Sequence, residues 1–395
     1  MTTAPPEAMP PSADVQRKRR NVWLAVLAAV FLLAGLIVLG YWLFIGRFYV
    51  FTEDAYIHGN AVMLAPQVSA GVKAIYADET DLVQKGQLVV ELDSSDFLLR
   101  FEELKKELAV TVREVAGMFQ DVEAKQAQIL LKKAEMQQAE LDLNHRTPLV
   151  KTGAVSAETY ETYQTGVSVA TAALTFAERD YEAANALVAG TTVETHPLVQ
   201  QTVWSLRQAY LNLIRCQIRA PTTGFIAKRS VQVGDQVEAG TTLLYIVPLD
   251  AIWLEANYKE TSLKSLRRGQ EVTFTADLYG DSVTYHGRVL GFQPGSGNAF
   301  SLLPPENASG NWIKIVQRVP VRISIDPDEL LKKPLLLGLS MRVTVDVHDT
   351  SGHMLAQAPT LDPLYTTSIY SQQLEEMVSI DPLIADVITQ NTYIP

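Results

Sequence analysis

The chain has 395 residues, with 33 Lys and Arg against 44 Asp and Glu, so its formal net charge is −11. Hydrophobic residues make up 47% of it, which suffices for two or three hydrophobic cores. The acidic balance excludes a typical nucleic-acid-binding protein, and 22 Gly and 19 Pro exclude collagen-like or wholly disordered chains. The single cysteine, Cys216, cannot form an intramolecular disulfide or a cysteine-rich metal site.

An apolar segment near the N-terminus predicts one membrane crossing. Residues 21–45 form an uncharged run of 25 residues, whereas a spanning helix needs roughly 20. The run is too long for the apolar core of a cleaved signal peptide, which has about 7–15 residues. A cluster of four cations, residues 17–20, precedes it, and only Arg47 follows closely. The positive-inside rule therefore predicts that residues 1–20 lie in the cytoplasm and that the chain after the span lies outside. We expect residues 1–20 to be disordered.

Two distant segments resemble each other: Ala65–Asp93 and Ala220–Pro248. Both begin Ala-Pro and both contain Asp-x-Val-x-x-Gly between short apolar strands, a pattern typical of β-hairpins. They resemble the half-motifs of biotinyl and lipoyl domains, and two facing halves predict a small β-sandwich. In such carrier domains the cofactor is attached to a lysine on the hairpin that joins the halves. Here a helical insertion replaces that hairpin and no Met adjoins a Lys, so we predict no lipoate, biotin or other cofactor.

The insertion between the two halves, residues 94–217, predicts a long antiparallel coiled-coil α-hairpin. Its first limb carries a seam with alternating steps of four and three residues. The seam consists of Phe97, Phe101, Leu104, Leu108, Val115, Met118, Val122, Ile129, Met136, Ala139 and Leu143, with polar residues at Thr111, Lys125 and Lys132. Gly153 can end the first helix in a left-handed turn, and Ser156 can cap the second. A limb of about 50 residues would place the tip, residues 146–156, roughly 75 Å from the base. We expect the returning limb to be interrupted at residues 190–197, where Gly and Pro disfavour a helix.

The segment from Ile252 onward again has the pattern of strands and turns, and predicts a small antiparallel β-barrel of five short strands.

No Lys or Arg follows Arg342, while seven carboxylates do. We therefore expect a loosely structured acidic tail with one short helix near Ser371–Met377. The fold class is α+β and membrane-anchored. The predicted segments are 1–20 (N-terminus), 21–45 (membrane helix), 46–93 (linker strand and first half-motif), 94–217 (hairpin), 218–248 (second half-motif), 249–349 (barrel) and 350–395 (tail).

Three stretches of the barrel carry a resemblance to a known family. They are Gly280–Gly291 (GDSVTYHGRVLG), Gly295–Pro304 (GSGNAFSLLP) and Gly310–Ile323 (GNWIKIVQRVPVRI). Together with the membrane span and the split lipoyl-like domain, they resemble the EmrA-type membrane fusion proteins, the periplasmic adaptors of multidrug efflux pumps. The resemblance implies an adaptor on the periplasmic side of a Gram-negative inner membrane. The adaptor would link a drug:proton antiporter of the major facilitator type to an outer-membrane TolC-like channel. It would act as a homo-oligomer, a trimer or hexamer, and we expect no nucleic-acid partner.

The same resemblance implies a partner-binding site at the hairpin tip. Related adaptors contact the channel through an Arg, a Leu and a Ser, and the matching residues in RTPLVKTGAVS are Arg146, Leu149 and Ser156. The spacing from Arg to Leu is one residue shorter than the commoner version, and Pro148 intervenes. Ser156 also has a purely structural interpretation as a helix cap.

No catalytic motif is present. The six histidines form no His-Glu-x-x-His, and the chain has neither a phosphate-binding Gly-x-x-x-x-Gly-Lys-Ser/Thr loop nor a Gly-x-Ser-x-Gly elbow. The chain is therefore not expected to be an enzyme. Two alternatives to a drug-efflux adaptor stay open: an adaptor for type I protein secretion, which shares the architecture, and a cofactor-carrying enzyme subunit, against which the missing carrier lysine argues.

Overall fold

The computed structural model describes residues 13–296, 299 and 316–392. Most of Gly295–Pro304 and the first part of Gly310–Ile323 thus lie outside the described residues. The chain divides into two compact units, residues 1–61 with 247–364 and residues 62–246 with 365–395. Each unit is described separately.

Seven α-helices and fifteen strands are formed by the described residues. The helices are α1 (Ala13–Phe44), α2 (Ser95–Lys151), α3 (Ala157–Val188), α4 (Pro197–Ile214), α5 (Pro327–Lys332), α6 (Ile369–Val378) and α7 (Asp381–Thr392). The strands are β1 (Tyr49–Thr52), β2 (Ala55–Gly59), β3 (Val62–Leu64), β4 (Ala70–Ile75), β5 (Leu82–Val83), β6 (Leu88–Leu92), β7 (Gln217–Arg219), β8 (Gly224–Arg229), β9 (Gln236–Val237), β10 (Leu244–Val247), β11 (Ile252–Lys259), β12 (Glu271–Ala276), β13 (Thr284–Phe292), β14 (Arg318–Ile323) and β15 (Met341–Asp346).

Helix α1 contains the predicted membrane span. The stretch Asn21–Phe48 has a mean hydropathy of 2.9 in its most apolar window, no part of which is buried. Within the described residues it is the one helix long and apolar enough to cross a membrane. The helix begins at Ala13, so the expectation of disorder up to residue 20 is wrong for residues 13–20. The reason is that Lys and Arg are good helix formers and extend a helix that the apolar run has already nucleated.

The first unit contains a seven-stranded antiparallel barrel in the order β1-β15-β12-β13-β14-β11-β2. An isolated bridge between Tyr56 and Ser340 joins β2 back to the chain just before β15. Side chains alternate inward and outward along the strands, as in β11, where Leu254, Ala256 and Tyr258 are almost fully buried. The five predicted strands are present, and β1 and β2, which the sequence placed in a linker, complete the barrel.

The second unit contains the sandwich that the two half-motifs predict. Its sheets have the orders β3-β10-β8-β5 and β7-β6-β4-β9, so each sheet takes two strands from the chain before the hairpin helices and two from the chain after them. The halves are thus interleaved, although the chain separates them by the whole hairpin. The glycine that ends Asp-x-Val-x-x-Gly has a left-handed φ in both halves, +84° at Gly86 and +88° at Gly240. Only glycine adopts this conformation without strain, which explains why both turns use it.

The hairpin consists of α2 on one limb and α3 followed by α4 on the other. Helix α2 has 57 residues, a length of about 85 Å at 1.5 Å per residue. The returning limb is interrupted between Val188 and Pro197, as predicted, and His196 caps α4 by accepting from the Leu198 amide at 3.3 Å. Buried α2 residues occur only from Phe101 to Ala116, where α4 and α7 also pack against α2 and cover larger side chains than α3 alone does.

The third helix at the hairpin base comes from the C-terminal segment. Helix α7 contributes Ile384, Val387 and Ile388 to a core shared with α2 and α4. The Arg207 guanidinium on α4 donates to Asp381 Oδ1 from Nε at 3.1 Å and from Nη2 at 2.7 Å. Helix α6 matches the short helix predicted near Ser371–Met377, whereas the prediction of a loosely structured tail is wrong for α7. The carboxylates lie among apolar residues at helical spacing, and this periodicity outweighs the net charge.

Candidate functional site: the hairpin tip

The turn between α2 and α3 is built by backbone hydrogen bonds. The Gly153 amide donates to the Val150 carbonyl at 3.1 Å, and the Ala154 amide donates to the Leu149 carbonyl at 3.0 Å. This pair of bonds is a Schellman motif, which requires a left-handed residue, and Gly153 has φ +70°. The chain therefore reverses within five residues, Thr152–Ser156, and presents a compact end to its surroundings.

Ser156 is the N-cap of α3, as the sequence predicts. Its hydroxyl oxygen accepts from the Thr159 amide at 3.1 Å and lies 2.7 Å from the Thr159 hydroxyl. This satisfies one of the amide groups that a helix leaves unpaired at its start. The side chain is exposed, but its hydroxyl is already engaged by its own helix.

Arg146 contacts the opposite limb of the hairpin. Its guanidinium lies 3.8 Å from the centroid of the Tyr163 ring on α3. The same guanidinium donates to the Asp142 carbonyl at 2.8 Å and forms an ion pair with the Asp142 carboxylate at 3.3 Å. A cation over an aromatic ring is attracted to it and also fills space against it. Arg146 thus joins the two helices just below the turn.

Of the three predicted tip residues, Leu149 is the apolar one, and its side chain is exposed. It lies one helical turn before the reversal, and 43% of it is exposed. Its neighbours Pro148, Lys151 and Thr152 are exposed as well. Leu149 therefore presents an apolar side chain at the exposed end of the hairpin.

The tip thus brings the three predicted residues to one end of the rod but gives them different environments. Among the described residues, no hydrogen bond, ion pair or ring contact joins any two of Arg146, Leu149 and Ser156. The residue that sequence reasoning missed is Tyr163, the aromatic partner of Arg146. Extending the seam into α3 could have found it, because Tyr160, Tyr163 and Val167 follow the same steps of three and four.

Two of the three polar seam residues in α2 pair across the hairpin. Lys125 forms an ion pair with Asp180 of α3, and this bond raises the pKa of Lys125. The hydroxyls of Thr111 and Thr202 of α4 lie 3.4 Å apart. Lys132 instead pairs with Glu135 of its own helix at 2.9 Å. Polar groups at seam positions fix the register of a coiled coil, so these cross-helix pairs determine which residues meet at the tip.

Among the described residues, no group of three or more His, Cys, Asp and Glu is arranged to hold a metal ion. Cys216 is buried and free, and burial raises its pKa to about 11, so its thiol is poorly reactive.

Comparison with known proteins assigns the chain to a family. A family model described as the EMRA alpha-helical hairpin domain matches residues 95–216, which contain all of α2, α3 and α4. The multidrug export protein EmrA of Haemophilus influenzae is 38% identical over 97% of this chain and 98% of its own length. The chain belongs to the EmrA family of membrane fusion proteins.

Other members and solved structures extend this comparison. The fatty acid resistance protein FarA of Neisseria gonorrhoeae is 43% identical over 78% of this chain and 78% of its own length. A solved structure of the periplasmic adaptor protein EmrA aligns with 76% of this chain and 99% of that chain, at 19% identity and a TM-score of 0.39. The described residues of this EmrA-family chain contain an N-terminal apolar helix, an interleaved sandwich, a hairpin and a barrel.

Proposed function

We propose that this chain is the periplasmic adaptor of a multidrug efflux pump. Helix α1 anchors it in the inner membrane of a Gram-negative cell, with its N-terminus in the cytoplasm. The two folded units lie in the periplasm, and the hairpin tip docks onto an outer-membrane TolC-like channel. The inner-membrane partner is a drug:proton antiporter of the major facilitator type, and the adaptor acts as a homo-oligomer, a trimer or hexamer.

The observation that carries this proposal is the reach of the hairpin. Beyond Ala116, α2 has no fully buried residue, so about 35 residues, or roughly 50 Å of helix, contribute no enclosed core. A rod of this kind adds little to stability and is suited to contacting a distant partner. The relatives named multidrug export and fatty acid resistance proteins support export as the purpose of that contact.

The three residues of the tip have different roles in this proposal. Leu149 is the direct anchor, because it is apolar and exposed. Arg146 and Ser156 hold the shape of the tip, the first through Tyr163 and Asp142 and the second by capping α3. Loss of an apolar anchor at the centre of an interface typically costs about 2 kcal/mol or more in binding.

The test compares Leu149→Asp with Leu131→Asp, a matched control on the same helix whose side chain is 57% exposed. Each variant is expressed in cells that depend on this pump, and drug tolerance, cross-linking to the channel and thermal melting are measured. We expect Leu149→Asp to lose tolerance and cross-linking without a change in melting, and Leu131→Asp to retain all three. Normal tolerance and cross-linking for Leu149→Asp would show that the tip does not dock. Early melting of that variant would assign Leu149 a structural role instead.

A further inference from the structure

One end of the barrel lies next to the membrane helix. Helix α1 ends at Phe44 and β1 begins at Tyr49, with a single 3₁₀ turn at Gly46–Phe48 between them. Five residue steps span at most about 18 Å even when fully extended. When α1 crosses the membrane, the end of the barrel at which β1 begins therefore lies close to the lipid headgroups.

Two further segments of the barrel gather at this end. The first follows β15: the Val347 amide donates to the Phe48 carbonyl at 2.8 Å, and the Phe48 ring stacks on His348 with 4.3 Å between centroids. The second is the connection from β11 to β12. Its Gln270 side-chain amide donates to the Asp349 carbonyl at 2.7 Å. Both segments are thus held next to the start of β1.

These segments carry a set of cations, which we call the basic collar: Arg47, Lys259, Lys264, Arg267 and Arg268. Within the part of the chain that the structure describes, no collar side chain forms an ion pair. By contrast, Arg288, Arg318 and Arg342 in the barrel strands are paired with carboxylates at 3.1, 2.6 and 3.2 Å. Arg47 lies over the Phe48 ring, 4.6 Å from its centroid, but no carboxylate of the described residues neutralises the positive charge of the collar.

Hydrogen bonds fix the two arginines of the β11–β12 connection. Arg267 Nη1 donates to the carbonyls of Lys264 and Leu266 at 2.9 and 2.7 Å, and Arg268 Nε donates to the Leu290 carbonyl at 2.6 Å. Among the described residues, no further hydrogen bond engages the other guanidinium N–H groups of these two arginines. Arg268 and Lys264 are exposed, and Arg267 is half-buried.

The described carboxylates of these segments form no ion pair with the collar. Asp346 accepts from His348 Nδ1 at 2.5 Å, and Asp349 accepts from the Ser351 amide and hydroxyl at 2.8 and 2.6 Å. Glu260, beside Lys259, is the third carboxylate of these segments. In these three described segments, five cations thus face three carboxylates, in a chain whose formal net charge is −11.

We propose that the basic collar binds anionic phospholipid headgroups of the leaflet on its own side of the membrane. Three observations favour a lipid partner: the short covalent link to α1 fixes the collar near the bilayer, the charge is complementary to phosphate, and exposed aromatic side chains accompany it. Tyr49 and Phe51 are 45% and 56% exposed, and aromatic rings favour the membrane interface. Basic groups near a membrane attract anionic lipids over about one Debye length, roughly 8–10 Å. The collar thereby sets the orientation of the barrel on the bilayer.

The test uses the full chain in lipid nanodiscs with a fluorescent label at Thr261→Cys. Thr261 is exposed and lies between Lys259 and Lys264, whereas Cys216 is only 1% exposed and stays unlabelled. Spin-labelled phosphatidylglycerol or spin-labelled phosphatidylcholine is added at equal mole fraction, and quenching of the label is compared. We expect quenching by phosphatidylglycerol to be about fivefold greater at low salt and to fall to parity near 1 M salt, where the Debye length is about 3 Å.

The paired variant Lys259→Glu/Lys264→Glu should remove this preference, since neither lysine makes a side-chain bond among the described residues. The matched control is Lys332→Glu/Lys333→Glu, which makes the same charge change at the C-terminal end of α5. That site is remote from the collar, because Lys333 lies over the ring of Tyr279, which follows the opposite end of β12. The control should keep the preference.

Equal quenching by the two lipids in the unmodified chain would overturn the proposal. So would a loss of preference in the control as large as in the collar variant, because the effect would then reflect net charge alone. If the label responds only when an inner-membrane transporter is added, the collar is a protein-docking surface and the lipid assignment is wrong. The proposal requires α1 to span the membrane but does not depend on efflux, and recovery of the chain in the discs reports on the span separately.

Discussion

Helix α7 should stabilise the hairpin base mainly through buried apolar contacts, and Ile384→Ala tests this. Ile384 is 5% exposed and packs in one core with α2 and α4. Truncation of a buried Ile to Ala typically costs about 2–5 kcal/mol. Because α7 has only 12 residues and lies at the edge of the bundle, neighbouring groups can relax, and we expect the lower part of that range, about 2–3 kcal/mol.

The measurement is hydrogen exchange followed by mass spectrometry on peptides covering residues 381–392. If α7 opens by local undocking, a loss of about 2–3 kcal/mol accelerates its amide exchange by about 30- to 140-fold. Peptides from the sandwich, such as residues 88–92, should be unchanged. The matched control is Leu374→Ala on α6, because Leu374 is 54% exposed and a surface truncation changes stability by about 0.5 kcal/mol or less.

A second variant separates packing from charge. Asp381→Asn weakens the bond from Arg207, but the pair is half-exposed, with 21% and 40% of the two side chains accessible. Such pairs contribute about 0–1 kcal/mol, so exchange should accelerate by about fivefold or less. If Ile384→Ala leaves exchange within about twofold of the unmodified chain, α7 is not packed as described. If Asp381→Asn has the larger effect, the ion pair and not the apolar core holds the segment.

Three further predictions concern topology, the tip and the sandwich. An alkaline-phosphatase fusion after Asp54 should be active in cells, and an inactive fusion at normal expression would refute the proposed orientation. Ser156→Ala should cost about 1 kcal/mol of local stability through loss of the bond from the Thr159 amide, seen as faster exchange at the start of α3, whereas Ser156→Asp should restore the cap. Hydrogen bonds from Lys73 and Tyr76 lower the pKa of Glu91 below its ordinary 4.5, so Glu91 stabilises the fold above that pH and loses this effect as the pH falls through the folded pKa. The melting temperature of Glu91→Gln should therefore differ from that of the unmodified chain at pH 7 and converge with it in acid. A difference that stays constant with pH would contradict this.

The sequence by itself determined the features whose physical cause is local. The apolar run of 25 residues predicts a helix long and apolar enough to span a membrane, and the steps of three and four residues predict a hairpin; both helical features are found. Gly153 and Ser156 mark the turn because a left-handed residue and a hydroxyl cap are needed at those two positions. The repeated Asp-x-Val-x-x-Gly fixed two matching turns, and both are found at Gly86 and Gly240.

Only the tertiary structure decided which distant segments meet. The sequence could not show that β1 and β2 complete the barrel, or that the two half-motifs interleave in both sheets, because strand partners are chosen by contacts across the whole chain. The same holds for Arg146, whose partner Tyr163 lies on the opposite limb. The C-terminal segment shows the physical reason most clearly: its acidic charge is a local property, but Ile384 and Ile388 become ordered only because α2 and α4 offer an apolar surface that covers them.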